Sequence, residues 1–239
     1  MSTLTLVRHG QATPFEDDPD RLSPLGQIQA RTLGSYWLHH QVVFDEVYTG
    51  TLVRQRHTAQ IVGEVFREAG QAWPAAQAMP EFDEYHVDDI WKQLVPILVR
   101  SDPSFAALFA AYDRNRDGPD RHRIFQRTLE AVMRCWQEAK VGSDEMEAWT
   151  AFRDRVRQGV RQILQRAGSS RRVAVFSSGG PIGTTVQWAL NAPDESALEV
   201  NWRVRNCSLT EFIFTRNRLT LDSFNALAHL EDRTLWSYR

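Results

Sequence analysis

Two periods of apolar residues run along this chain, one suited to strands and the other to helices. Leu4 to Val7 is a short apolar run that stops at Arg8, His9 and Gly10. It predicts a strand, followed by an acidic, proline-containing loop from Thr13 to Asp20. Ser23 before Pro24 signals a helix start, and Leu25, Ile28, Leu33 and Trp37 continue it at helical spacing. Phe44 to Thr49 predicts a second strand and Leu52 to Phe66 a second amphipathic helix, with Arg54 on its first turn.

From Glu81 to Leu164 strand-type patterning gives way to helical periods around Ile90–Leu98, Phe105–Tyr112, Ile124–Trp136 and Trp149–Leu164. This stretch reads as a helical insertion whose last helix rejoins the core, with a cap at about 82–145. Val173 to Phe176 is continuously apolar, as expected for a strand covered on both faces of a parallel sheet. Ser177, Ser178, Gly179, Gly180 and Pro181 turn that strand into a helix through Leu190, because glycine permits the tight turn and proline suits a first helical position. Leu209–Phe214 and Leu219–Phe224 predict an antiparallel hairpin at the sheet edge. The expected fold class is therefore α/β: one domain over 1–239, a three-layer α/β/α sandwich with a mainly parallel sheet, an edge hairpin and a helical cap.

Composition narrows the function classes. The chain has 239 residues, of which 42% are hydrophobic and 24% charged, enough for one substantial core. Net charge is −2 at a sequence pI near 6.4, so no basic field exists for a nucleic acid or an anionic membrane. Any phosphate must be held locally. Cys135 and Cys207 have neither metal-ligand nor CxxC spacing, which predicts no disulfide framework and no metal site. MSTLTLVRHG lacks the basic start of a signal peptide, and the longest apolar run, Phe105 to Tyr112, is too short to span a bilayer. The expectation is a cytoplasmic protein.

Ligands of open α/β sheets bind beyond the carboxyl ends of the strands. The RHG and SSGG segments both fall at such ends. Alone, Arg8 and His9 fit a surface ion-pair donor and a packed imidazole equally well. Their surroundings are more specific: LVRHGQAT with DRLSPLGQIQARTLG, and VYTGTLVRQRHTAQIV, resemble the two opening blocks of the histidine phosphatase (phosphoglycerate mutase-like) superfamily. MPEFDEY, the ESALEVN to CSLTEF segment and SFNALAHL are similar to its later regions, so the resemblance runs from residue 4 to about residue 230.

The resemblance implies that His9 is a nucleophile and that Arg8 and Arg54 clamp phosphate. Elementary chemistry agrees. A neutral imidazole attacks phosphorus and later departs, which splits one hard displacement into two easier ones. Guanidinium forks match phosphoryl oxygens, and no cofactor is required. Glu81 matches the position that donates a proton to the leaving oxygen, a task that needs a carboxyl still protonated near neutral pH. Asp83 and Glu84 are the alternatives.

Where the family carries a second histidine in SHGG, this chain has Ser178 in FSSGGPI. A hydroxyl brings no positive charge, and losing a preorganised charged donor costs ~2–4 kcal/mol of barrier, roughly a hundred- to a thousandfold in rate. The amides after Gly179 offer a further anion site at a helix start. His229 or His86 could compensate in space, whereas His39, His40, His57 and His122 read as packed or solvent-facing.

Other signals carry less. Asp113, Asn115, Asp117 and Gly118 imitate half of a calcium loop, but Ile124 stands where its bidentate glutamate should be, so calcium is not expected. Arg153, Arg155, Arg157, Arg161 and Arg166 read as a solvated helix face. Trp91, Trp136 and Trp149 read as the core of the cap.

Two functions remain in view. One is a phosphomonoester hydrolase working through phosphohistidine on a small phosphorylated substrate. The other is a non-catalytic or weakly active protein that binds a phosphate ligand, inorganic phosphate included. A mutase is disfavoured, because PFEDDPDRLSP stands where the mutases carry an asparagine-rich substrate segment. Neither a nucleic acid nor a membrane is an expected partner. The exposed hairpin edge could pair with a second copy as a homodimer.

Overall fold

A computed structural model describes residues 1–13, 18–115, 118–138 and 146–238, the side chain of His122 excepted. Positions 14–17 of the expected loop, Asp117 of the calcium-like turn, the His122 side chain and 139–145 at the end of the expected cap lie outside the described residues. In chain order the elements are β1 (Ser2–Arg8), α1 (Pro24–His39), β2 (Glu46–Thr49), α2 (Val53–Glu68) and β3 (Gln77–Ala78). Then come α3 (Val87–Ser101), α4 (Pro103–Arg114), α5 (Arg121–Gln137) and α6 (Trp149–Gln165). The chain closes with β4 (Arg172–Ser177), α7 (Gly179–Ala189), α8 (Glu195–Asn201), β5 (Leu209–Thr215) and β6 (Arg218–Ala226).

These elements form two compact units, Met1–Glu84 with Arg155–Arg239, and Tyr85–Asp154. The first is built on a six-stranded mixed sheet of order β3-β2-β4-β1-β5-β6. β3, β2, β4 and β1 run parallel, while β5 and β6 form the antiparallel edge hairpin. β1 and β4, at the centre, are the strands whose ends carry RHG and SSGG.

Alternation along the strands separates two cores. Leu4, Leu6, Val173, Val175, Phe212 and Phe214 face Val160, Ile163, Leu164, Ile182 and Val186 of α6 and α7. Val7, Val47, Ala174 and Phe176 face Leu33 and Trp37 of α1 and Ala59, Val62 and Phe66 of α2. Each such aliphatic or aromatic side chain contributes about 1.5–3 kcal/mol by leaving water, so both faces resist displacement of the central strands. The result is the expected α/β sandwich.

Local signals set the helix starts. Ser23 caps α1 by accepting from Gly26 N at 3.1 Å, with Pro24 in the first turn. Asp102 caps α4, accepting from Ser104 N at 2.8 Å and Phe105 N at 3.2 Å.

In the helical unit Trp136 and Trp149 are buried and meet edge to face at 5.4 Å, and Trp91 packs on Phe109, Tyr112 and Phe125. The first turn of α6 belongs to this unit because Trp149 and Phe152 pack on Trp136, and Phe152 also on Tyr85.

The arginines in and just after α6 are only in part the expected solvated face: Arg161 and Arg166 are exposed, whereas Arg153, Arg155 and Arg157 are half-buried. Arg155 Nη1 donates to the carbonyls of Pro80, Glu81 and Asp83, Arg157 donates to Gln187, and Arg161 lies 5.2 Å over the Trp188 ring. Arg166 reaches Glu46 at 3.6 Å. Long basic side chains here lay their stems along apolar surface and satisfy carbonyls, a role that charge spacing alone does not reveal. Among the described residues, no helix is long and apolar enough to cross a membrane.

Candidate active site

β1 and β4 are in register from Thr3↔Arg172 to Arg8↔Ser177, and His9 N donates to Ser177 O at 2.9 Å. His9 and Ser178 therefore leave the sheet side by side. Gly10 follows because a side chain there would collide with the α1 backbone: a Cβ would lie 2.4 Å from Gly26 O.

The His9 ring is buried, and its Nδ1 lies 2.7 Å from Gly10 O. A carbonyl can only accept, so the proton sits on Nδ1 and the Nε2 lone pair is exposed to chemistry. Arg54 Nε donates to that Nε2 at 3.2 Å. Burial, then the charges of Arg54 and Arg8, hold the imidazole well below its usual pKa, against the opposing pull of Gly10 O. His9 is thus neutral at pH 7, the form that attacks phosphorus.

Arg54 is fixed by Asp20, at the end of the loop predicted from Thr13 to Asp20. Asp20 accepts from Arg54 Nη1 at 2.7 Å, from Val53 N at 2.7 Å and from Arg54 N at 3.4 Å. One carboxylate both caps α2 and orients the guanidinium, leaving Nε for His9. Thr58, one turn on, accepts from Gly10 N at 3.0 Å and donates to Arg54 O at 2.7 Å, tying the RHG loop to the same helix. Arg8 is close enough to depress His9, and its guanidinium donates to Val204 O.

Ser178 is buried and accepts from Gln55 Nε2 at 2.8 Å, so its own proton remains available to donate. Gln55 also donates to Phe82 O at 3.0 Å, and Ser177 Oγ donates to the same carbonyl at 2.7 Å. Gly179 closely abuts α8: a Cβ would stand 2.1 Å from Asn201 Oδ1.

The three acidic candidates separate. Glu81, half-buried, accepts from Gln162 Nε2 on α6 at 3.0 Å, and its Cβ packs against Gly159. Asp83 binds Thr51, accepting from its hydroxyl at 2.6 Å and from its amide. Glu84 accepts from Gly180 N at 3.1 Å, at the start of α7 and two residues from Ser178. Of the three, only Glu84 touches the SSGG turn, and the amide expected to serve as an anion site holds this carboxylate. Phe82, fully buried, explains the phase: with its side chain in the core, the residues around it cannot all face the same way.

The compensation considered for His229 is absent. It is buried, neither ring nitrogen has a hydrogen-bond partner among the described residues, and it therefore makes no bond to His9. His86 is exposed, immediately before α3 in the helical unit.

The family model described as histidine phosphatase superfamily (branch 1) matches residues 4–140 and 115–227. No curated protein matches the sequence. Among solved structures the chain is similar to Bacillus stearothermophilus YhfR, at 20% identity over 97% of this chain and 100% of that one, with a TM-score of 0.66. It is also similar to phosphoglycerate mutase from Bacillus anthracis str. Sterne, at 17% identity over 96% and 95%, with a TM-score of 0.64. A third is mycobacterial glucosyl-3-phosphoglycerate phosphatase in complex with inorganic phosphate, at 20% identity over 96% and 99%, with a TM-score of 0.63. At these identities the likeness to the solved structures is one of fold.

Proposed function

The chain belongs to the histidine phosphatase superfamily, and from that premise we propose that it is a phosphomonoester hydrolase acting through a phosphohistidine at His9. The observation that carries this reading is the neutral, buried imidazole, with its Nδ1 proton tied to Gly10 O and its Nε2 lone pair beside the Arg54 guanidinium. Fold neighbours with phosphatase names, one of them solved with inorganic phosphate, add support for a small phosphorylated substrate.

In this mechanism Nε2 of His9 attacks phosphorus, and the bond to the ester oxygen breaks. Arg8 and Arg54 hold the equatorial oxygens, with the Ser178 hydroxyl and the Gly179 turn beside them. Arg54 Nε, which otherwise rests on the nucleophile, turns to a phosphoryl oxygen as Nε2 forms its bond. The leaving oxygen takes a proton from a carboxyl group. Water then attacks the phosphohistidine, gives its proton back to that carboxylate and releases inorganic phosphate. We assign the proton to Glu84 instead of Glu81, because Glu84 reaches the SSGG turn while Glu81 is engaged by Gln162.

A second reading, a phosphate-ligand binder with little turnover, draws on the uncharged Ser178–Gln55 pair standing where a cation would assist. Rapid acid quench with a 32P-labelled phosphomonoester decides between them. Label on the wild type and none on His9→Ala is expected. Turnover equal in the two proteins, with phosphate or vanadate affinity that still needs Arg54, would favour the binder.

A further inference from the structure

Two side-chain amides are completely buried beside the RHG loop, Gln29 on α1 and Asn206 before β5, and one residue from the far end of the chain lies between them. Gln29 Nε2 donates to Ser237 Oγ at 3.0 Å and to Leu235 O at 2.6 Å. Ser237 Oγ donates to Asn206 Oδ1 at 2.9 Å, and Asn206 N donates to Ser237 O at 2.9 Å. The segment is held from outside as well. Arg205 lies 4.5 Å over the Trp236 ring and donates to the Tyr238 hydroxyl at 3.1 Å, and Trp236 Nε1 donates to Leu230 O at 2.8 Å.

The opposite ends of both amides touch the nucleophile's loop. Gln29 Oε1 accepts from Gln11 N at 2.9 Å, and Asn206 Nδ2 donates to His9 O at 3.1 Å. An amide can rotate by half a turn and exchange donor for acceptor, so its orientation is decided by its partners. Ser237 supplies one partner to each, accepting from Gln29 and donating to Asn206. With both orientations set, Gln29 presents oxygen to Gln11 N–H and Asn206 presents N–H to His9 O.

The Gln11 N–H and the Gly10 carbonyl belong to one rigid peptide plane. Fixing the N–H therefore fixes the carbonyl, and this is the carbonyl that accepts the Nδ1 proton of His9. We propose that Ser237 is a positioning residue which, together with Leu235 O, sets the Gly10–Gln11 peptide plane through Gln29, anchors the adjoining His9–Gly10 plane through Asn206, and so keeps His9 in the tautomer with Nε2 unprotonated. The catalytic consequence rests on His9 being the nucleophile, as proposed above. The structural consequence does not.

The test joins two readouts on the full-length protein. Long-range 1H–15N correlation spectra of the imidazoles report the His9 tautomer, with His9→Gln used to assign the signal. Steady-state hydrolysis of a generic aryl phosphate reports kcat and KM. Ser237→Ala is expected to bring the second tautomer into view and to lower kcat about tenfold or more, with KM within twofold, since a misassigned tautomer disables a catalytic imidazole. Ser237→Thr, which restores the hydroxyl, should return both readouts towards wild type. Should Ser237→Ala not fold, Ser237→Cys keeps the volume with a weaker donor and should show a mixed tautomer population. An unchanged tautomer in the folded variant overturns the proposal. If the wild type has no turnover yet Ser237→Ala shifts the tautomer, the hydrolase reading fails and this one stands.

Discussion

Lowering the pH should unfold this protein earlier than its carboxylates alone would, because of His229. The ring is buried and neither nitrogen has a hydrogen-bond partner among the described residues. Burial lowers its pKa from 6.5 to about 4, and the nearby Cys207 backbone, whose approach falls short of a well-formed hydrogen bond, offsets only part of the effect. The unfolded chain therefore takes up a proton near pH 6.5, while the folded chain resists until about pH 4. In that window the unfolded state binds more protons, so stability is intact above pH 6.5 and falls as the pH drops towards 4. Below that, both states are protonated and the loss stops growing. At ~1.4 kcal/mol for each pH unit the gap amounts to roughly 3 kcal/mol at pH 4. Set against a typical total of about 5–15 kcal/mol, that is a large share.

The check is urea unfolding at half-unit steps from pH 7.5 to 4 on the wild type and on His229→Leu, which cannot titrate. His9 is also held below its usual pKa, but it is present in both proteins and cancels in the difference. The two stability curves should diverge by roughly 3 kcal/mol across the window, the wild type falling faster. Parallel curves would refute the reasoning, since they would mean that the folded protein accepts a charge at this position without cost.

The remaining expectations concern the site and its frame. Glu84→Gln should lower turnover by about 10²–10⁴-fold, the usual worth of a general acid, whereas Glu81→Gln should change kcat less than about threefold, as steady-state assays of the two variants would show. Asp20→Asn should weaken vanadate binding and lower kcat while leaving His9 able to accept label, because its carboxylate orients Arg54 but is not itself consumed. Gly179→Ala should cost ~1–3 kcal/mol in thermal or urea unfolding, since the added methyl meets Asn201 Oδ1 at 2.1 Å.

Much of this architecture could be read from residue pattern. Val173 to Phe176 announced a strand covered on both faces, and the turn after it placed Ser178 beside His9. The bounds of α3 to α6 fall within a few residues of the periods that predicted them. What escaped has physical causes. β3 is a two-residue, exposed strand with no apolar alternation to reveal it. α8 follows Pro193 and is only seven residues long, too short for a helical period to declare itself. Gln29, Gln55 and Asn206 are fully buried amides, and a polar residue inside a helix or loop looks solvent-facing until its partners are known. Asp20 acts on a helix more than thirty positions away, so no local spacing could reveal it. The proposed preference for Glu84 over Glu81 follows from the path of the chain past Phe82. There Arg155, from another helix, donates to the carbonyls of Pro80, Glu81 and Asp83, partners that nothing within MPEFDEY reveals.

The in-register pairing of Arg8 with Ser177 restricts how this site can change over evolutionary time. Side chains on a strand alternate between faces, so deleting or inserting a single residue in either central strand would exchange its two apolar sets and carry His9 or Ser178 out of reach of the other. Variation in length must then accumulate in the connections that leave the sheet, where substrate preference can drift while the distance between the two turns stays constant.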